Sequence, residues 1–339
     1  MRIAFTGKGG SGKTTLATLF TQWLAAQGAP VLAIDGDINQ HLGTALEFTP
    51  EQLHNLPKLG VEGEWVKNYL RGENPRIRNV GEMTETTPPG NGSRFVFFGN
   101  AQDELAKRFS MTSKSGVSFM AIGGHTMDKV AASCYHTYTG VEGILLNHLI
   151  DGEGEYVIGD MVAGADPFAS SGLGSRFDVI FLVVEPTQKS LEVFNQVQAY
   201  LKPFDMQVWV VGNKIENEDD IAFIKETVGE RWVGGVGRSA YVRNAEKGRF
   251  ADISTLEPEN LAILTKMKQL VDSTAKDWDA YMRVGLQYHK IVADSWGEQW
   301  LGVDVMSQVD PEFRYQDMMA QKLRLQHVTT VNGEMTQAA

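Results

Sequence analysis

Residues Gly7 to Thr14, GKGGSGKT, place glycines, two lysines and a threonine at the spacing G-x-x-x-x-G-K-[ST]. That spacing suits chemistry on a phosphate chain. Glycines let backbone N–H groups curl around phosphate oxygens, and the positive end of a following helix adds to the attraction. Lys13 can reach the β- and γ-phosphates of a nucleotide, and the Thr14 hydroxyl can ligate Mg²⁺. Gly9, Gly10, Ser11, Gly12, Lys13, Thr14 and Thr15 are therefore the expected phosphate-binding residues. A chance Gly-rich turn is the competing explanation. The apolar run before the loop and the helical pattern after it argue against that.

Phosphate transfer to water also needs carboxylates near the metal and the attacking water. The apolar run Val31 to Ile34 leads into DGDINQHLG, so Asp35 and Asp37 fall at the carboxyl end of a strand. Ligands bind at such ends in open α/β sheets. Asp35 is expected at the Mg²⁺ shell, although Asp is also a good turn residue. A second apolar run, YVIG, closes on Asp160, which is read as a further Mg²⁺-side carboxylate; a plain strand-end cap is the alternative. The strand VWVVGNK ends in Asn213 and Lys214. The Asn amide offers a donor and an acceptor, matching a purine edge.

A third group of residues could ligate a soft metal. Cys134 and His136 form a C-x-H pair just before a helical pattern. One copy supplies two ligands, and two copies about a twofold axis would supply Cys₂His₂. Zn²⁺ suits that set, and Ni²⁺ suits a planar version. A lone buried cysteine is more often inert packing, and His136 could equally cap the helix. His125 and His148 are weaker candidates.

These residues need a scaffold that brings strand ends together. Arg2 to Thr6, Val31 to Ile34, Phe95 to Phe98, Phe119 to Ile122, Tyr156 to Ile158, Val179 to Val184 and Val208 to Val211 are continuous apolar runs. Runs of this kind are typical of strands buried on both faces of a parallel sheet. Helical patterns lie between several of them: after Lys13, ended by Gly28, and over Gly140 to Ile150, Ser190 to Leu201 and Asp219 to Val228. The alternation predicts an α/β fold with a mainly parallel sheet flanked by helices; taken with the G-x-x-x-x-G-K-[ST] loop after its first strand, this is the P-loop NTPase fold. Thr49 to Ser93, with its TTPPGNGS stretch, reads as an insertion with a mobile loop. From Glu259 the chain reads as helical. The expected domains are an ATPase unit over 1–275 with an insertion at about 49–116, a helical C-terminal extension over 276–326, and a disordered polar tail over 327–339.

The chain has 339 residues, 42% hydrophobic, and a net charge of −11. The acidic balance disfavours nucleic acid or an anionic membrane as partner. With one cysteine, no intrachain disulfide can form. No signal peptide is apparent, and the longest apolar run is far short of the ~20 residues that span a bilayer. A cytoplasmic protein without a stable membrane anchor is expected.

The string GKGGSGKTT, with Lys8 as its extra lysine, resembles the deviant Walker A loop of the family that includes the nitrogenase iron protein, the Min and Par positioning ATPases and the CooC-type nickel-insertion ATPases. The resemblance covers about residues 1–50 and 117–275. It implies that Lys8 reaches across a homodimer to the partner's nucleotide. By analogy with arginine fingers, a cation supplied in trans is worth ~10³–10⁵ in rate. It further implies that Asp37 positions or activates water, that Gly164 senses the γ-phosphate, and that Asn213 recognises adenine, favouring ATP over GTP. Lys8, Lys13 and Asp37 are thus the expected catalytic residues.

SCYHTYTGVEGILLNHL and LVVEPTQKSLE are similar to the CooC-type branch, which carries C-x-C where this chain has Cys134-x-His136. This chain departs from that branch at the second cysteine. Two copies also lack the four cysteines of a conventional Fe₄S₄ cluster. The resemblance implies an ATP-hydrolysing dimeric switch using ATP/ADP and Mg²⁺. Its role would be that of a metallochaperone with a client nickel enzyme such as carbon monoxide dehydrogenase. A Min/Par-like positioning ATPase and a metal-free ATPase regulating a protein partner are the alternatives.

Overall fold

The computed structural model describes residues 1–124 and 135–325. Ten strands follow in chain order: β1 (Arg2–Gly7), β2 (Val31–Asp35), β3 (Val96–Phe97), β4 (Met111–Thr112), β5 (Ser118–Ala121), β6 (Leu149–Ile150), β7 (Tyr156–Asp160), β8 (Val179–Val184), β9 (Trp209–Ile215) and β10 (Trp232–Gly237). Eight of them form one sheet in the order β10-β9-β8-β1-β7-β2-β5-β4, parallel except for the short edge strand β4. β3 and β6 pair separately, so the Phe95 to Phe98 run lies outside the main sheet.

Alternate residues of each strand serve opposite faces. Ile3 and Phe5 of β1 point into one core with Leu16, Phe20 and Phe181. Ala4 points into the other, with Ile144, Leu145 and Ile180. Both faces are covered by helices, which is why the strands read as unbroken apolar runs. Phe5, Phe20 and Phe181 meet with ring centroids 5.6–6.2 Å apart. Truncating Phe20 to Ala at this junction would cost roughly 3–5 kcal/mol. Its helix, Lys13–Ala26, ends as expected: Gly28 takes φ 79°, which an L side chain resists.

The TTPPGNGS stretch is a correction to the expected mobile loop. Residues 86–90 are buried. The Thr87 hydroxyl donates to Gln308 Oε1 at 2.8 Å, and Thr86 Oγ1 lies 3.0 Å from His289 Nδ1. Proline and glycine set the turns there, but contacts with the C-terminal region hold the stretch inside. That region is helical over Pro258–Ser273 and Trp278–Val292, and again over 315–325. No helix among the described residues is long and apolar enough to cross a membrane. The expected tail 327–339 lies outside the described residues.

Candidate nucleotide site

The sheet brings the carboxyl ends of β1, β2 and β7 side by side. β7 lies between the other two, with Asp160 in register with Phe5 of β1 and with Asp35 of β2. The phosphate loop leaves β1 at Gly7 and enters the helix at Lys13. Glycine is required at two points. At Gly7 a Cβ would sit 2.6 Å from Ser11 Oγ and against the Val183 carbonyl, and at Gly12, with φ 94°, it would collide with the Asn213 amide. The Ser11 N–H closes the loop on the Lys8 carbonyl at 3.0 Å.

Two pairs join this loop to the neighbouring strand ends. Lys13 Nζ forms a buried ion pair with Asp37 Oδ2. The Thr14 hydroxyl donates to Asp160 Oδ2 at 2.6 Å. Burial works to raise the Asp37 pKa, but hydrogen bonds from Lys13 and Asn39 outweigh it and hold the carboxylate below its ordinary range. Burial pushes Asp160 up despite Lys13 and Thr14, and its Oδ1 has no hydrogen-bond partner. Asp35 is fully buried and is also raised, by burial first and by Asp160 second. Its oxygens accept the N–H groups of Leu42 at 3.0 Å and Asp37 at 3.3 Å, so it shapes the turn that presents Asp37.

This donor set fits a hydrated divalent cation. Thr14 Oγ1 and the orphaned Asp160 Oδ1 are hard oxygen ligands at the end of a phosphate loop. A cation there would reverse the logic that now raises the carboxylates.

The remaining expected residues are placed as follows. Lys8 is partly exposed, with Nζ 3.4 Å from the Gly9 carbonyl. Gly9 and Gly10 are exposed, while Ser11 is buried with an unpartnered Oγ. Thr15 lines a cleft of about 720 Å³ with Thr14, Gln22, Tyr241, Glu246 and Phe250, the space beside the loop that a nucleoside would need. The Asn213 amide donates to the Ser11 carbonyl at 2.8 Å, and Lys214, with φ 60°, donates to the Gly10 carbonyl at 2.9 Å and pairs with Glu185. Both therefore brace the phosphate loop from β9. Gly164, with φ 89°, donates its N–H to the Gly7 carbonyl at 2.9 Å.

His136 begins the helix His136–His148, with Nε2 2.8 Å from Oδ2 of Asp166, the first residue of the short helix that follows the loop after β7. His148 is fully buried, its Nδ1 2.8 Å from the Ile144 carbonyl, and burial lowers its pKa to about 4. Among the described residues no three His, Cys, Asp or Glu side chains converge on a metal. Cys134 and His125 lie outside the described residues.

Two residues near the site went unnoticed in the sequence. Tyr135 donates its hydroxyl to the Gly36 carbonyl at 2.8 Å. Glu142 is fully buried, and burial first, then Asp35 and Asp160, push its carboxyl up to about 8. A lone Glu in the apolar string GVEGILL was the available signal.

Residues 3–248 match the CobQ/CobB/MinD/ParA nucleotide binding domain. The carbon monoxide dehydrogenase accessory protein CooC of Rhodospirillum rubrum is 26% identical over 225 residues, covering 66% of this chain and 78% of that protein. An uncharacterised ATP-binding protein of Methanocaldococcus jannaschii is 31% identical over 242 residues, covering 70% and 84%. Among solved structures, the cell division ATPase MinD of Pyrococcus furiosus superposes with a TM-score of 0.52 at 14% identity, covering 79% of this chain and 98% of that one. The MinC:MinD cell division complex of Aquifex aeolicus gives 0.51 at 19% identity, covering 81% and 97%.

Proposed function

The chain belongs to the CobQ/CobB/MinD/ParA nucleotide-binding family and is an ATPase, and on that premise we propose that it works as an ATP-driven dimeric switch of the metallochaperone kind. The observation that carries the switch is the pairing of Lys13 with Asp37 and of Thr14 with Asp160. In the structure Lys13 is paired with Asp37. An arriving γ-phosphate competes for Lys13, because a lysine ammonium is attracted to the greater charge. Asp37 is then released toward water and can orient it or accept its proton. Thr14 and Asp160, with Asp35 behind them, would hold Mg²⁺, which neutralises charge on the β- and γ-oxygens. A related MinD, from Pyrococcus horikoshii, was crystallised with Mg-ADP. In this switch Lys8, partly exposed on the loop, would reach the nucleotide of a second copy.

The metallochaperone reading is supported by the CooC relative and by the position of His136 beside the segment after β7. The cargo would be a thiophilic divalent ion such as Ni²⁺ or Zn²⁺ held by Cys134 and His136 from two copies, and the client a metalloenzyme. A metal-free ATPase that regulates a protein partner is the second reading. It draws on Trp300, 82% exposed, and Trp296 at the rim of a hollow that also contains His136.

The test is metal content of the ATP-bound protein by mass spectrometry. One ion per two chains, lost in Cys134→Ala and in His136→Ala, is expected. No stoichiometric metal, or no change in the variants, would leave the second reading. Lys8→Ala should abolish ATP-dependent dimerisation in sedimentation while ATP still binds; an unchanged monomer–dimer profile would remove the switch.

A further inference from the structure

Gly36 links Asp35 to Asp37 and donates its N–H to the Asp160 carbonyl at 3.0 Å. Its backbone is not in the left-handed region, so conformation does not require glycine there. Space does. A Cβ at Gly36 would lie 2.6 Å from Glu142 Oε2 and 3.2 Å from the Asp160 carbonyl. The side-chain position of Gly36 is thus occupied by a carboxylate from the helix His136–His148. The Gly36 carbonyl is held by the Tyr135 hydroxyl at 2.8 Å. Tyr135 and Glu142 are seven residues apart, two turns of helix, and so share one face. Neither Glu142 oxygen has a hydrogen-bond partner. Keeping a buried carboxyl group unsatisfied is costly, and an orphan of this kind in a fold calls for a role.

We infer that Tyr135 and Glu142 clamp Gly36 from two sides and are positioning residues for ATP hydrolysis, setting where the Asp35–Asp37 turn presents Asp37 to water. The clamp acts through Asp37 and rests on the role given to Asp37 above. Tyr135 fixes the carbonyl side of the glycine and Glu142 fills the opposite side, while Asp160 takes the N–H. Two of the three contacts on the turn come from one helix and its N-terminal cap, so the turn is coupled to that helix. The adjoining His136–Asp166 contact ties the same helix to the segment after β7. One helix therefore touches both segments that flank the phosphates, and a displacement of either alters the other.

The experiment compares Tyr135→Phe, Glu142→Gln and Asp37→Ala for kcat and KM of ATP hydrolysis, for ADP affinity by calorimetry, and for melting temperature. Tyr135→Phe and Glu142→Gln are expected to lower kcat about 10- to 100-fold, the scale of a small misplacement at a reacting centre. KM and ADP affinity should stay within about 3-fold of wild type. Combined with Asp37→Ala, each should add less than about 3-fold, because the path it acts through is already cut. Gly36→Ala should lower kcat and regain at least part of it when paired with Glu142→Ala. Wild-type kcat in both single variants overturns the clamp. So does a loss shared equally by kcat, ADP affinity and melting temperature, which marks a merely structural role. Wild-type turnover in Asp37→Ala overturns the role of Asp37 instead, and is read separately from the Tyr135 and Glu142 results.

Discussion

Strand β1 carries a buried charge cluster at each end, and the two are built on opposite terms. At its start, Arg2 is fully buried, with each of its three guanidinium nitrogens hydrogen-bonded. Nε donates to Asp151 at 2.7 Å, Nη1 to the Leu146 carbonyl at 2.8 Å and to the Tyr281 hydroxyl at 2.6 Å, and Nη2 to the Leu149 carbonyl. Lys276 bridges Asp151 at 3.0 Å and Asp178 at 2.7 Å. Burial alone would raise Asp151, but Lys276 and Arg2 hold it far below the ordinary carboxylate range. At the other end of the strand, Asp35, Asp160 and Glu142 are all raised, and Glu142, Asp160 and Ser11 keep unpartnered oxygens. The first cluster is complete and fastens the helix Trp278–Val292 to the sheet. The second holds three raised carboxyl groups beside the phosphate loop, where a divalent cation would supply the opposing charge. A satisfied polar network rigidifies a fold, whereas buried polar oxygens without a protein partner are free to bond a ligand.

The contrast can be broken from either side. The largest effect is expected at the incomplete end: Lys13→Ala should cut ATP hydrolysis by about 10³-fold or more in a phosphate-release assay while the circular dichroism spectrum stays that of a folded protein. At the complete end, Arg2→Met should leave Asp151 short of a partner and lower unfolding free energy by roughly 3–5 kcal/mol in urea titration. The folded fraction should turn over within about 3-fold of wild type; a large loss of kcat would show that the two ends are not separable.

A smaller effect comes from acid. His148 lies next to the carbonyls that Arg2 uses, and burial holds it at about 4 rather than 6.5. As pH falls, the unfolded chain takes up this proton first. Stability present above pH 6.5 is therefore lost as the pH drops toward 4, by up to about 3 kcal/mol. His148→Gln should flatten that slope in pH-dependent melting, and an unchanged slope would remove His148 from the account. The mildest change is a gain. Mg²⁺ with ADP at about 100 times its dissociation constant should stabilise the protein by roughly 2.7 kcal/mol. The same shift is expected in Arg2→Met, because the ligand acts only on the other end.

Much of the scaffold was legible locally. Continuous apolar runs in β1, β2, β7 and β8 match strands covered on both faces, and the phosphate loop stands between a strand and a helix as its spacing requires. β10 was missed because WVGGVG is rich in glycine, and β4 because two residues form no pattern. The threonines and prolines of residues 84–90 look like an exposed turn by composition, yet they meet Gln308 and His289, more than two hundred residues away in the chain.

Within the site the division is similar. The sequence by itself determined the chemistry at hand: a glycine loop with Lys13 and Thr14, and acids closing β2 and β7. Those residues sit in short motifs whose geometry follows from backbone rules. Only the tertiary structure decided who meets whom. It paired Lys13 with Asp37 and Thr14 with Asp160, turned Asn213 and Lys214 onto the back of the phosphate loop, and set Tyr135 and Glu142 around Gly36. It also made the charges at one end of β1 cancel and left those at the other end unbalanced. The physical reason is that burial and neighbouring charge fix the state of a carboxylate, and neither is a property of the residue or of its neighbours in sequence.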